Sequence, residues 1–223
     1  MIKAVFFDMN ETLLNLEPLK THFDKHFKDE YVLKYWFTKL LQTSLVMASM
    51  NAYKNFGELA GVVLESVFHE GGKSLSEDEK ASILNTFRSM PAFEDVPEAL
   101  KMLKDNNLKV IAVSNSSLTM MEEQLTNAGI IKYFDGYYSV DAVARYKPFE
   151  DIYKFVANEE LLDVSEVVMV ASHDWDLFGA KSAGLKTAYI KRKDVIYNPF
   201  YSDPDIDDDH MVKLAEKIVR LKD

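Results

Sequence analysis

The sequence contains no cysteine, which excludes disulfides, thiolate metal sites and cysteine nucleophiles together. It is also short of positive charge: 26 Lys and Arg stand against 36 Asp and Glu, a formal net charge of −10. A field of that sign repels phosphate backbones and anionic lipid surfaces, so neither a nucleic acid nor a membrane surface is an expected partner. A small anionic substrate stays compatible, because a pocket can carry local positive charge that the total hides. No apolar run approaches the roughly 20 residues needed to span a bilayer. The opening segment MIKAVFFDMN turns acidic within ten positions and lacks the apolar core and cleavage site of a signal peptide, which makes the cytoplasm the expected compartment. Internal repeats and low-complexity tracts are missing as well.

What is present is 223 residues, 48% hydrophobic and 28% charged, enough for one large domain or a domain with a sizeable insertion. Residues 3–8 (KAVFFD), 109–115 (KVIAVSN) and 167–172 (VVMVAS) are short apolar runs that each turn polar at the C-terminal end. Such runs suit strands buried on both faces of a parallel sheet, and residues 187–190 (TAYI) form a fourth, weaker candidate. Ligands of open α/β sheets bind outside the carboxyl ends of the strands, so the three polar ends should converge. Residues 16–90 hold no comparable strand. Apolar residues recur at helical spacing over 35–53 and 56–68, Gly71-Gly72 breaks the pattern, and Ser76 to Glu79 fits a capping box. The chain returns near residues 90–92, and Pro97 sits in the first turn of the next helix. Near the end, the acidic stretch 202–209 (SDPDIDDD) reads as a solvated loop whose last Asp residues cap a closing helix.

Asp8 ends a buried run, where a carboxylate costs free energy unless something pairs or uses it. Held there beside a cation, it is a competent nucleophile. Residues 7–13 (FDMNETL) resemble the first motif of the haloacid dehalogenase superfamily, whose usual form is Asp-x-Asp-Gly-Thr-Leu. Three further motifs follow in the family's order: Ser114-Asn115, Lys147-Pro148, and Asp176 within residues 171–180 (ASHDWDLFGA). The resemblance spans essentially the whole chain. It implies an α/β fold, a Rossmann-like doubly wound parallel sheet with an inserted helical cap, the core lying in 1–15 and 91–223 and the cap in 16–90.

The departures choose between branches of the superfamily. Its phosphatases carry a general-acid Asp two residues after the nucleophile, where this chain has Asn10, an amide that cannot serve as an acid. They also carry a magnesium-binding Asp where this chain has Ala171, so no cofactor or metal is expected. Carbon–halogen cleavage needs neither, because a halide leaves without a proton. The stretch ASHDWD is similar to the Ser-Ser-Asn-x-Trp-Asp of the type II 2-haloacid dehalogenases, and residues 36–53 are similar to that branch's cap helix. The resemblance implies a hydrolase acting on a small haloacid or related anion. In it Asp8 forms an ester, Asp176 positions the water that hydrolyses it, and Lys147 balances the carboxylates. Thr12, Ser114 and Asn115 hold Asp8 or the substrate carboxylate. Asn10, Trp36 and Trp175 contact substrate, while Phe37, Tyr53 and Phe56 pack the joint between cap and core. His173 stands at the family's Asn position, either as a structural hydrogen-bonding residue or to orient or deprotonate water. The branch's usual Arg after the cap Trp is missing; Arg145 and Lys39 are candidate replacements. The alternative is a phosphatase with a relocated magnesium site using Asp174, and a third reading is a non-catalytic binding module. A homodimer is left open.

Overall fold

A computed structural model of the chain describes residues 1–221. Strand β1 (Ala4–Phe7) leads into helices α1 (Glu17–Phe23), α2 (Val32–Ser49), α3 (Phe56–Glu70) and α4 (Glu77–Arg88). Helix α5 (Val96–Asp105) and strand β2 (Lys109–Ser114) follow. The chain then alternates through α6 (Leu118–Asn127), β3 (Gly136–Ser139), α7 (Glu150–Glu159), β4 (Val167–Ala171), α8 (Asp174–Ser182), β5 (Lys186–Ile190), β6 (Ile206–Asp208) and α9 (Met211–Arg220). The strands form one sheet in the order β3-β2-β1-β4-β5-β6, every neighbouring pair parallel. This is the doubly wound arrangement the sequence implies. Among the described residues no helix is long and apolar enough to cross a membrane.

The most apolar runs occupy the middle of the sheet. Every residue of β1 and β4 is buried, as expected of strands covered by helices on both faces. The chain leaves β1 toward β2 and β3 on one side, then crosses back to β4, β5 and β6 on the other. The carboxyl ends of β1 and β4 therefore flank the point where the winding reverses, the usual place for a ligand in such sheets. Asp8 follows β1 there, and its amide donates to the Val170 carbonyl of β4 at 3.0 Å.

The four helices between β1 and α5 pack around an aromatic cluster in which the Trp36 ring lies 5.8 Å from Phe23 and 5.5 Å from Phe87. The two segments that connect them to the sheet run side by side. Leu14 bridges Ala92 in antiparallel fashion, the Asn15 amide donates to the Pro91 carbonyl and the Phe93 amide to the Leu13 carbonyl, both at 2.9 Å. The capping box is present: the Ser76 hydroxyl accepts from the Glu79 amide while the Glu79 carboxylate accepts from the Ser76 amide.

One expected loop is a strand. Residues 206–208 of the acidic stretch form β6, with Ile206 paired to Ala188 and Asp208 to Ile190. Its charges are met from neighbouring elements: Lys217 of α9 reaches Asp208 at 2.8 Å, and Lys191 pairs with Asp207. The closing helix is capped by His210, whose Nδ1 accepts from the Val212 amide, and by Asp95, which accepts from the Met211 amide at 2.8 Å. An edge strand with one partner needs no apolar run, so the hydrophobic pattern gives it no signal. Strand β3 escapes sequence reading for the same reason.

Candidate active site

Three strand ends bring their polar residues together. The Lys147 ammonium, fully buried, lies 3.2 Å from Asp8 Oδ1 and 2.9 Å from Asp176 Oδ2. Asp176 sits in the first turn of α8, where the helix N-terminus favours an anion. Its other oxygen accepts from the Tyr153 hydroxyl of α7, so both oxygens are engaged and neither meets solvent. Asp8 Oδ2 accepts from the Thr12 hydroxyl at 2.9 Å, and Thr12 in turn accepts from the Ser172 amide at 2.9 Å, tying the β1 loop to the end of β4.

Helix α8 reaches Lys147 because of a glycine. A Cβ on Gly179 would stand 2.6 Å from Pro148 Cβ and press on the Pro148 backbone as well. With hydrogen there, the helix lies directly on the Lys147-Pro148 segment. Asn115 fixes the same segment from the other side, its Oδ1 accepting from the Lys147 amide at 3.0 Å.

The remaining side of Asp8 faces His173. Nδ1 stands 3.4 Å from Asp8 Oδ2, and Nε2 stands 3.0 Å from Glu11 Oε2. The ring lies between Trp175 at 5.3 Å and Phe37 of α2 at 6.3 Å. Glu11 also pairs with Lys193, and its backbone has φ 63°, a left-handed conformation that favours glycine. Its position is the glycine of the superfamily's usual first motif. A glutamate held there against its backbone preference points to use of its carboxylate.

The charges set one another. Burial pushes the Asp8 carboxyl up, but Lys147, His173 and Thr12 outweigh it and hold the group well below the ordinary carboxylate range. For Asp176 burial wins: its carboxyl is raised in spite of Lys147, with the Asp8 charge adding to the rise. Burial alone would lower the Lys147 ammonium, yet the two carboxylates raise it. His173 is likewise lowered by burial, and its bonds and charge pairing with Asp8 and Glu11 lift it to about 9. Asp8 is thus an ionised carboxylate beside two cations.

A cavity of about 630 Å³ opens from this cluster, with Lys147, Ser172, His173 and Glu11 at its polar end. The geometry agrees with what the chain is similar to. The model of the haloacid dehalogenase-like hydrolases matches residues 2–184. This chain belongs to the haloacid dehalogenase-like hydrolase family. The (S)-2-haloacid dehalogenase of Xanthobacter autotrophicus is 32% identical over 199 residues, covering 86% of this chain and 76% of that one. The (S)-2-haloacid dehalogenase of Pseudomonas sp. strain YL is 28% identical over 206 residues, covering 92% and 89%. Among solved structures, the L-2-haloacid dehalogenase of Xanthobacter autotrophicus superposes with a TM-score of 0.89 at 25% identity over 98% of both chains.

Several residues of this hydrolase stand elsewhere than the sequence suggests. Trp36 is not at the cavity: it is fully buried inside the inserted helices, its Nε1 donating to the Ala60 carbonyl at 3.3 Å. Its neighbour Phe37 lines the cavity instead, one residue around the helix. Asn10 is also withdrawn. Its amide donates to the Ser116 hydroxyl and accepts from Gln124, both at 3.3 Å, so it braces the loop after β1 against β2 and α6. The Ser114 hydroxyl accepts from the Ser116 amide at 3.1 Å, and its hydrogen has no acceptor among the described residues. Trp175 and His173 do line the cavity, whereas Tyr53 and Phe56 pack on Tyr146. Neither candidate for the missing Arg reaches the site: Lys39 pairs with Glu70, and Arg145 pairs with Asp151 over the Phe149 ring.

The donor set does not fit a divalent cation at the superfamily's metal position. Asn10 is turned away, Ala171 offers no side-chain oxygen, and Asp174 accepts from the Trp175 and Asn198 amides. Among the described residues no three His, Asp or Glu are grouped to hold a metal ion.

Glu11 and Tyr153 are the site residues that motif reading misses. Glu11 has a visible signal, an acidic residue in a glycine position. Tyr153 has none, since its partner Asp176 lies 23 residues away in the chain.

Proposed function

We propose that the chain is a 2-haloacid dehalogenase that works through an ester on Asp8, with no metal ion or other cofactor. The observation that carries this reading is an ionised aspartate balanced by Lys147, with Asn10 where a phosphatase has its carboxylic acid and no donor set for magnesium among the described residues. Both relatives are named for haloacid cleavage, which supports it. The helices in 16–90 act as a cap over the core formed by 1–15 and 91–221, residues 222–223 of the expected core lying outside the described residues; the paired segments at Leu14 and Ala92 support boundaries there.

One oxygen of Asp8 attacks the halogen-bearing carbon. A C–O bond forms as the carbon–halogen bond breaks, and the halide leaves with the bonding pair and needs no proton. Lys147 keeps Asp8 ionised, and Asp176 with Tyr153 keeps Lys147 in place. The Ser114 hydroxyl hydrogen and the Asn115 amide, which have no acceptor among the described residues, are donors for the substrate carboxylate or the halide.

Ester hydrolysis falls to His173, in place of Asp176, whose oxygens are buried and engaged. In the ester, Asp8 carries no charge, so one of the two anions that hold His173 protonated is gone and its pKa falls. Neutral His173, backed by Glu11, takes a proton from the water attacking the ester carbonyl. The acyl C–O bond breaks, and the departing oxygen takes a proton as the hydroxy acid leaves. Asp8 regains its charge. The sum is haloacid plus water giving hydroxy acid plus hydrogen halide.

A single turnover in heavy-oxygen water tests this. The label should enter Asp8 and be missing from the first hydroxy acid released, whose C2 should be inverted. Label in the product of the first turnover would mean that water attacks carbon directly.

A further inference from the structure

The cavity is far larger than the smallest haloacids require. A three-carbon 2-chloroacid has six heavy atoms and fills at most about 180 Å³, allowing each atom one water's share of roughly 30 Å³. Most of the cavity's 630 Å³ is then left over. A pocket of this size ordinarily takes a much longer ligand.

The surplus has a definite chemistry and direction. Polar groups collect at the closed end, where Lys147 is fully buried and His173 nearly so. Beyond the His173 ring apolar side chains predominate: Phe37, Leu41 and Leu45 of α2 on one side, with Thr38 and Gln42 among them, Trp175 and Phe178 of α8 on the other, and Ile196 at the rim. Exposure grows outward along this wall, and Phe178 is 36% exposed, Leu45 43% and Ile196 92%. Three apolar side chains left open around one concavity are the mark of a ligand-binding groove rather than of scattered surface residues. Of the cations near the mouth, Lys193 pairs with Glu11 and Arg192 with Asp95 at 2.9 Å, whereas Lys34 of α2 is exposed.

We infer that this cavity selects 2-haloacids whose C2 carries an extended apolar substituent, alkyl of about four or more carbons or aryl, with the carboxylate and halogen at the Lys147–His173 end and the substituent between α2 and α8. The inference rests on the dehalogenase reading for its reacting group and on the apolar wall for its tail. Burying each added methylene between these walls should tighten the transition state about fourfold until the tail reaches the rim.

The experiment measures halide release from the single enantiomers of 2-chloropropionate, 2-chlorohexanoate, 2-chlorooctanoate and 2-chloro-3-phenylpropionate. The kcat/KM ratio of the eight-carbon to the three-carbon acid should exceed about tenfold, and Leu45→Ser or Phe178→Ser should lower that ratio about tenfold. A ratio at or below one, or a ratio that neither substitution moves, overturns the inference. Calorimetry with lactate, 2-hydroxyhexanoate and 2-hydroxyoctanoate supplies an arm independent of turnover. Affinity that rises with chain length supports the apolar tail site, and affinity flat with length overturns it. Halide release from none of the acids would defeat the dehalogenase reading, while the hydroxy-acid series still decides the tail.

Discussion

Glu11 shows how a single side chain can work against its own backbone. Its φ of 63° costs on the order of 1 kcal/mol relative to glycine, and its carboxylate holds His173 and Lys193. Glu11→Gly should therefore leave thermal stability nearly unchanged, relief of strain offsetting the lost pairing. Ester hydrolysis should slow by about 100-fold, as for loss of support to a general base. Quench-flow would show a full halide burst followed by slow hydroxy-acid release; hydrolysis at the normal rate would remove Glu11 from the second step. His173→Asn should give the same burst with the ester trapped, detectable by mass on the peptide bearing Asp8. Asp176→Asn should instead lose the burst, because it releases Lys147. The nucleophile is legible in the sequence because it ends a buried apolar run, and the lysine and the last aspartate because they stand in the Lys147-Pro148 and Trp175-Asp176 pairs of the resemblance. Their partners are not, since Tyr153 meets Asp176 only through the packing of α7 on α8.

At the level of elements, the site depends on how closely α8 approaches the segment carrying Lys147. Gly179→Ala puts a methyl against Pro148 where no flexible side chain can give way, and either the helix or the segment must shift. Stability should fall by about 1–3 kcal/mol, the usual cost of overpacking. Halide release should fall more than expected from the unfolded fraction, because Lys147 moves away from Asp8; denaturant midpoints and burst amplitude on the same sample separate the two effects. Buried strands announce themselves as continuous apolar runs and amphipathic helices by their period, which is why β1, β2, β4 and helices α2 to α4 are readable. Strands β3 and β6 lie at the sheet edges with polar or half-exposed residues, and only their neighbours define them. Trp36 and Phe37 illustrate the finer limit: helical period gives a buried face, but not which of two adjacent aromatics points at the substrate.

For the whole molecule, the paired charges link stability to pH. His173 has a folded pKa of about 9 against an ordinary 6.5, so its contribution is complete below about pH 6.5 and is lost as pH rises through about 9. The loss should be at most about 3 kcal/mol, read by urea unfolding between pH 6 and 10, and His173→Asn should flatten the curve over that interval. Asp8 and Glu11, both held below their ordinary values, bound the acid side, where their contribution is lost as pH falls below the carboxylate range. The sheet order also has a consequence in time. Strand β1 is made first, yet its neighbours β2 and β4 lie about 100 and 160 residues further along the chain. At roughly 5–20 residues per second, β1 waits on the order of ten seconds or more for both to leave the ribosome. The inserted helices touch one another within a short span of sequence and can pair as soon as they emerge, ahead of any parallel strand. Asp8, synthesised well before either strand beside it, is among the last residues to be seated.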